Sequence, residues 1–182
     1  MKTLIDHLSQ YAAYHQDRRN VATHVVGIPL IVVAIAILLS RPAVDAGGWP
    51  LSLALLLGLG TVVFHLRLDL RFGGVMAVLI GAALWVGQVV AAQSTGLWLT
   101  TGLAAFVIGW AIQFVGHWYE GKKPAFVDDI VGLFVGPLFL VAELAFVLGM
   151  RREVQAAIHQ RLSGAAANHS RQPAGERELK AG

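Results

Sequence analysis

The chain has 182 residues, 56% of them hydrophobic and only 14% charged, with a mean hydropathy of +0.63; a soluble domain carries about 25% charge, so the composition points to an integral membrane protein. The absence of cysteine excludes disulfides, Fe–S clusters and thiolate catalysis, and leaves His, Asp and Glu as possible metal ligands. The net charge of +3 lies at the ends of apolar runs, as in helices oriented by a bilayer, and does not indicate nucleic acid.

Residues 1–19 pattern as an amphipathic helix at the membrane interface. Leu4, Leu8, Tyr11 and His15 share one face with Ile5 and Ala12. Residues 21–40 read as the first span, with Asn20 and His24 one turn apart at its start and Pro29 as a kink. Arg41-Pro42 and Gly47-Gly48-Trp49-Pro50 mark a loop, with Trp49 as an interface anchor. Residues 51–66 form the second span, followed by Arg67 and Asp69, with His65 near its end. Residues 75–92 form the third and 97–117 the fourth, which carries Gln113 one turn before His117. The stretch 125–150 is apolar yet contains Asp128, Asp129, Gly132, Gly136, Pro137 and Glu143, so a broken or re-entrant hairpin, or a tilted helix packed against the others, is expected. Residues 1–150 thus read as one membrane-embedded helical domain, and 151–182 as a polar tail, first helical and then disordered. The predicted fold is all-α: about four transmembrane helices, a broken fifth segment and an N-terminal interfacial helix.

Basic residues orient these spans. Lys2, Arg18 and Arg19, then Arg67 and Arg71, then Lys122 and Lys123 put the amino terminus and the second and fourth loops in the cytoplasm. That topology gathers His15, His24, His65 and His117 at one membrane face, beside Glu120, Asp128 and Asp129. Imidazole with carboxylate suits zinc or non-haem iron. Gln113 and Asn20, each one turn before a histidine, suit the orienting of ligand rings. No HExxH helix, P-loop, GxGxxG or GxSxG motif is present.

These residues carry a resemblance. Tyr11-x3-His15-x4-Asn20-x3-His24-x2-Gly27-x-Pro29, followed downstream by Gln113-Phe114-Val115-Gly116-His117, Glu120, Lys122-Lys123-Pro124-Ala125 and Asp128, resemble the family known as domain of unknown function 962. Its characterised fungal member is a 2-hydroxy fatty acid dioxygenase of the endoplasmic reticulum. The resemblance implies an Fe(II)-dependent enzyme of fatty acid α-oxidation that uses O₂ to shorten a 2-hydroxy acyl chain by one carbon. By motif position it implies His15, His24 and His117 as iron ligands, Glu120 with Asn20 in catalysis, and Lys122 and Lys123 as receivers of the substrate carboxylate. Topology, not the resemblance, adds His65 as a fourth ligand and Arg67 as a further carboxylate partner, and Asp128 joins Gln113 as a group supporting the ligands.

Two other classes fit the residues alone. One is a small membrane transporter or scaffold with Asp128, Asp129 and Glu143 as proton or cation sites. The other is a zinc-dependent lipid hydrolase. The chain has no organelle signal, so the bacterial inner membrane is expected, or the endoplasmic reticulum in a eukaryote, with the metal facing the cytoplasm and the bilayer and a lipid substrate as partners.

Overall fold

Two long apolar helices form the centre of the bundle: α2, Arg18–Ser40, and α5, Thr95–Glu120. The structure, a computed structural model, describes residues 2–41, 43–47, 49–122, 124 and 129–171. Asp17 starts α2 by accepting the Arg19 N–H at 2.8 Å. Gly121 stops α5 in the left-handed conformation (φ 66°), where a glycine costs nothing. The two helices run antiparallel. Near one end Trp98 Nε1 donates to the Ile37 carbonyl at 2.8 Å. At the other, a Cβ placed on Gly116 would run into Thr23 Oγ1 and Asn20 Oδ1. Gly102, Gly109 and Gly116, seven residues apart, turn one small-residue face of α5 towards α2, the usual means of close approach between membrane helices.

The remaining helices are α1 (Leu4–Tyr14), α3 (Leu53–Leu68), α4 (Leu70–Ala91), α6 (Gly132–Val147) and α7 (Arg152–Arg171). Three of the described helices, α2, α4 and α5, are long and apolar enough to cross a membrane, and α6 with the first part of α7 makes a fourth candidate if the bent pair counts as one span. The second expected span is α3, whose 16 residues reach only about 24 Å against a hydrocarbon core of about 30 Å. The expected break in 125–150 falls later than the glycines and proline suggested. Helix α6 runs through Pro137, and the chain turns by 113° between α6 and α7, where Gly149 (φ 72°) and Arg151 (φ 53°) reverse the backbone. The loop after α2 is a short antiparallel hairpin, β1 (Ala43–Ala46) with β2 (Trp49–Ser52), which the sequence patterns did not indicate.

The apolar face of α1 is buried inside the protein. Leu4, Leu8 and Tyr11 pack with Phe139, Ala142 and Phe146 of α6 and with Val154 and Ile158 of α7. Polar contacts fix its rim: Lys2 Nζ meets Asp129 Oδ2 at 3.1 Å, and Arg161 pairs with Asp6. Helix α1 also ends earlier than its amphipathic pattern, so His15 is its C-cap and not a residue on its face.

A second pin holds the bend. Arg151 donates from Nη1 to Asp69 Oδ1 at 3.0 Å and from Nη2 to Oδ2 at 2.8 Å, and its guanidinium lies 4.6 Å from the centre of the Phe72 ring. Asp69 also caps α4 through the N–H groups of Arg71 and Phe72. The hydrogen-bonded guanidinium holds the Asp69 carboxyl below the usual carboxylate range. A lowered folded-state pKa stabilises the fold above the unfolded value of about 3.9, and that contribution is lost as pH falls through the lowered value. Asp69→Asn keeps a capping oxygen but loses the charge. It is expected to cost about 1–3 kcal/mol at pH 7, read as a lower thermal midpoint in detergent. The gap from the parent should begin to shrink below about pH 4 and close once pH has fallen below the lowered value; a gap that persists unchanged in acid shows that the charge is not responsible.

Candidate metal centre

Three buried histidines converge where α1, α2 and α5 meet. One ring nitrogen from each of His15, His24 and His117 lies within 4.8 Å of the others. The ring centres are 4.6 Å apart for His15 and His24, 5.2 Å for His15 and His117, and 5.0 Å for His24 and His117. Two of the rings are held the same way. His15 Nδ1 is 2.8 Å from the carbonyl of Tyr11, and His24 Nδ1 is 2.9 Å from the carbonyl of Asn20. A carbonyl only accepts, so each Nδ1 carries the hydrogen and each Nε2 keeps its lone pair. Those two Nε2 atoms face each other at 3.1 Å. The Tyr11 ring, stacked on His15 with centres 4.0 Å apart, fixes the plane of that imidazole.

Two opposed lone pairs at this distance repel unless a cation lies between them. A shared proton is a poor remedy, because burial pushes His15 down to about 4. A metal ion is a good one. With bonds of about 2.0–2.1 Å, the donor nitrogens of two neighbouring imidazoles on one tetrahedral or octahedral ion sit about 2.8–3.4 Å apart. His117 Nδ1 is buried without a hydrogen-bond partner among the described residues, which leaves it free for the same ion. The donor set fits a first-row metal; three imidazoles suit iron and zinc alike.

The loop that carries His15 is clamped by the end of α5. Glu120 Oε2 accepts from the backbone N–H of Asp17 at 2.8 Å and from Asn20 Nδ2 at 3.1 Å, and Oε1 accepts from the Gln16 N–H at 3.0 Å. Lys122 Nζ donates to the Ala13 carbonyl at 2.9 Å and lies 4.0 Å from Glu120 Oε1. The groups expected as catalytic and as carboxylate receiver are thus already engaged on both sides of His15. Asn20, fully buried, also sends its own carbonyl to His24.

Other expected residues lie elsewhere. His65 is fully buried but outside the histidine group. Its Nε2 is 3.0 Å from the Phe134 carbonyl, in the turn before Pro137, where a proline disturbs the helix's own hydrogen bonding. Arg67 is exposed on α3. Lys123 and Asp128 lie outside the described residues. Gln113 is 4% exposed, lines a cavity with the three histidines, and neither atom of its amide has a protein partner among the described residues. That cavity, about 260 Å³, continues between α2, α5 and α6 along Ile28, Ile31, Phe106 and Pro137. His15 also lines a wider cavity of about 540 Å³ with Arg18, Glu143 and His159 on its wall.

The sequence places Gly116 in the motif before His117 but assigns it no role. Its signal was the seven-residue glycine period of α5, which only matters once α2 is known to be the partner. Gly116→Ala must push α5 from Asn20 and His24, and is expected to cost about 1–3 kcal/mol and to weaken metal binding. Calorimetric titration with Co(II) checks this; parent-like affinity shows that the helix spacing does not set the centre.

An apolar helical bundle with a buried three-imidazole donor set at one end of an apolar cavity defines a membrane-type helical protein built around a candidate metal centre. The chain belongs to the Mpo1-like family: the family model, described as 2-hydroxy-palmitic acid dioxygenase Mpo1-like, matches residues 1–148. It is 31% identical over 167 residues, 87% of this chain and 91% of the relative, to the 2-hydroxy-palmitic acid dioxygenase MPO1 of Saccharomyces cerevisiae. No solved structure matches the chain.

Proposed function

We propose that the protein is an Fe(II)-dependent dioxygenase of fatty acid α-oxidation. The reaction is a 2-hydroxy fatty acid plus O₂ giving the fatty acid one carbon shorter, CO₂ and water. The family membership supports the reaction class. The observation that carries the site assignment is the pair of His15 and His24 Nε2 lone pairs 3.1 Å apart at the head of an apolar cavity.

In this reading His15, His24 and His117 hold the iron. Bound iron supplies the one-electron chemistry that lets O₂ react with a closed-shell acid. The Tyr11 and Asn20 carbonyls keep both Nδ1 hydrogens in place, so the two imidazoles stay neutral donors. Glu120 and Lys122 act as positioning residues by fixing the loop around His15. The Gln113 amide receives the polar end of the substrate, relieving the cost of about 1–3 kcal/mol that a buried unsatisfied polar group carries. The apolar lining takes the acyl chain and keeps water from the reacting carbons. Basic residues at this end of the bundle, Arg18, Arg19 and Lys122, support a cytoplasmic orientation of the centre. Lys123, Arg67 and Asp128 remain candidates for guiding the carboxylate inwards.

Three imidazoles are also a catalytic zinc set, so a zinc-dependent lipid hydrolase is the second reading. Detergent-purified protein given 2-hydroxypalmitic acid separates them. Oxygen-dependent formation of the acid one carbon shorter supports the dioxygenase; hydrolysis of an ester or amide lipid without oxygen supports the hydrolase and contradicts our reading.

A further inference from the structure

We propose that the substrate chain passes from the histidine cavity across Val32 and Pro137 into a second apolar cavity between α2, α3, α4 and α6, and that this second cavity sets the chain-length preference. The inference rests on the dioxygenase reading above. A cavity of about 150 Å³ takes one benzene ring, so the 260 Å³ at the histidines takes about ten carbons. The acid named for the yeast relative has a longer chain, and its methyl end needs a further place.

The neighbouring cavity supplies one. It has a volume of about 230 Å³ and shares Val32, Ile35, Leu133 and Pro137 with the first. Its far wall sets the small residues Ala54 and Gly58 of α3 and Ala83 of α4 among the apolar side chains of Leu57, Met76, Ile80 and Leu84. The cavity offers nothing polar: the one hydroxyl on its wall, Thr61 Oγ1, is bonded to the Leu57 carbonyl at 2.7 Å. Its occupant is therefore hydrocarbon. A third cavity of about 290 Å³ meets the other two at Val32 and Pro137 but shares fewer residues with the histidine cavity. Ala83 lines both distal cavities and not the histidine one, so Ala83→Phe fills the distal space without touching the centre.

The test is photolabelling of the full-length protein in lipid nanodiscs. The probe is 2-hydroxypalmitate with a diazirine at its methyl end, irradiated without oxygen. Label is expected on the α3 and α4 peptides that contain Gly58 and Ala83, and is expected to vanish in Ala83→Phe. Each methylene denied the cavity weakens binding about fourfold. Ala83→Phe should therefore lower kcat/KM for 2-hydroxypalmitate more than about tenfold while sparing 2-hydroxyoctanoate. Label confined to outward residues such as Leu56 and Val107, or unchanged chain-length selectivity in Ala83→Phe, overturns the proposal, because the tail then leaves into the bilayer. A parent protein that turns over neither acid overturns the dioxygenase reading instead, and the position of the label still decides the cavity.

Discussion

His117→Ala is expected to abolish turnover and to release the metal while leaving the helices intact. The side chain is 7% exposed, its Nδ1 has no hydrogen-bond partner among the described residues, and it faces His15 and His24 across a cavity. Its removal therefore takes away a donor without breaking a structural hydrogen bond through that nitrogen. Metal affinity should fall by more than the ~10–100-fold that loss of a supporting partner costs, and far-ultraviolet circular dichroism should be unchanged. Parent-like metal content in the variant would show that the ion, if bound, is held by other residues.

Glu120 gives the second large effect, and it separates a clamp from a base or a ligand. Glu120→Ala strips the acceptor from the Gln16 and Asp17 N–H groups and from the Asn20 amide. Each hydrogen bond to a charged group is worth about 1.5–3 kcal/mol. Freed of them, the His15 loop drifts, and a displacement of about 1 Å at a reacting centre costs about 10²-fold in rate. Glu120→Gln should lie between the parent and the alanine variant, since an amide oxygen still accepts. Its NH₂ group, however, then faces donors. The readout beyond rate is Co(II) affinity with its visible spectrum, which should report the distorted His15 in both variants and more strongly in alanine. Equal losses in Gln and Ala, with an unaltered Co(II) spectrum, would identify Glu120 as a proton-transfer group and remove it from the positioning role.

The contrast between His117 and Glu120 explains what the sequence could convey. Apolar runs made the bundle legible. The placing of basic residues gathered four histidines at one end, and three of them do meet. His65, which lies outside that group, shows the limit of the same reasoning. Topology assigns a side chain to an end of the bundle but not to a face of its helix, and His65 lies against the Phe134 carbonyl of α6. Glu120 was legible as an unusual carboxylate with Asn20 near it, yet two of its donors are backbone N–H groups more than a hundred residues away, which leave no side-chain pattern to read. The end of α1 at Tyr14 was hidden for the same reason: Asp17 capping and the Glu120 clamp override a hydrophobic period that continues through His15. The apolar face of α1 packs on α6 and on α7, and the weak apolar pattern of α7, carried by Val154 and Ile158, did not announce it as a partner.

The most direct test strips the detergent-purified parent of metal and returns one equivalent of Fe(II) or of Zn(II) under nitrogen. 2-Hydroxypalmitic acid and oxygen are then added, and oxygen uptake and the acid one carbon shorter are followed together. Fe(II) should restore both in equal amounts, Zn(II) should restore neither, and His117→Ala should respond to neither ion. Full turnover by the metal-free protein, or equal recovery with Zn(II), would contradict the assignment of the three histidines to an iron centre.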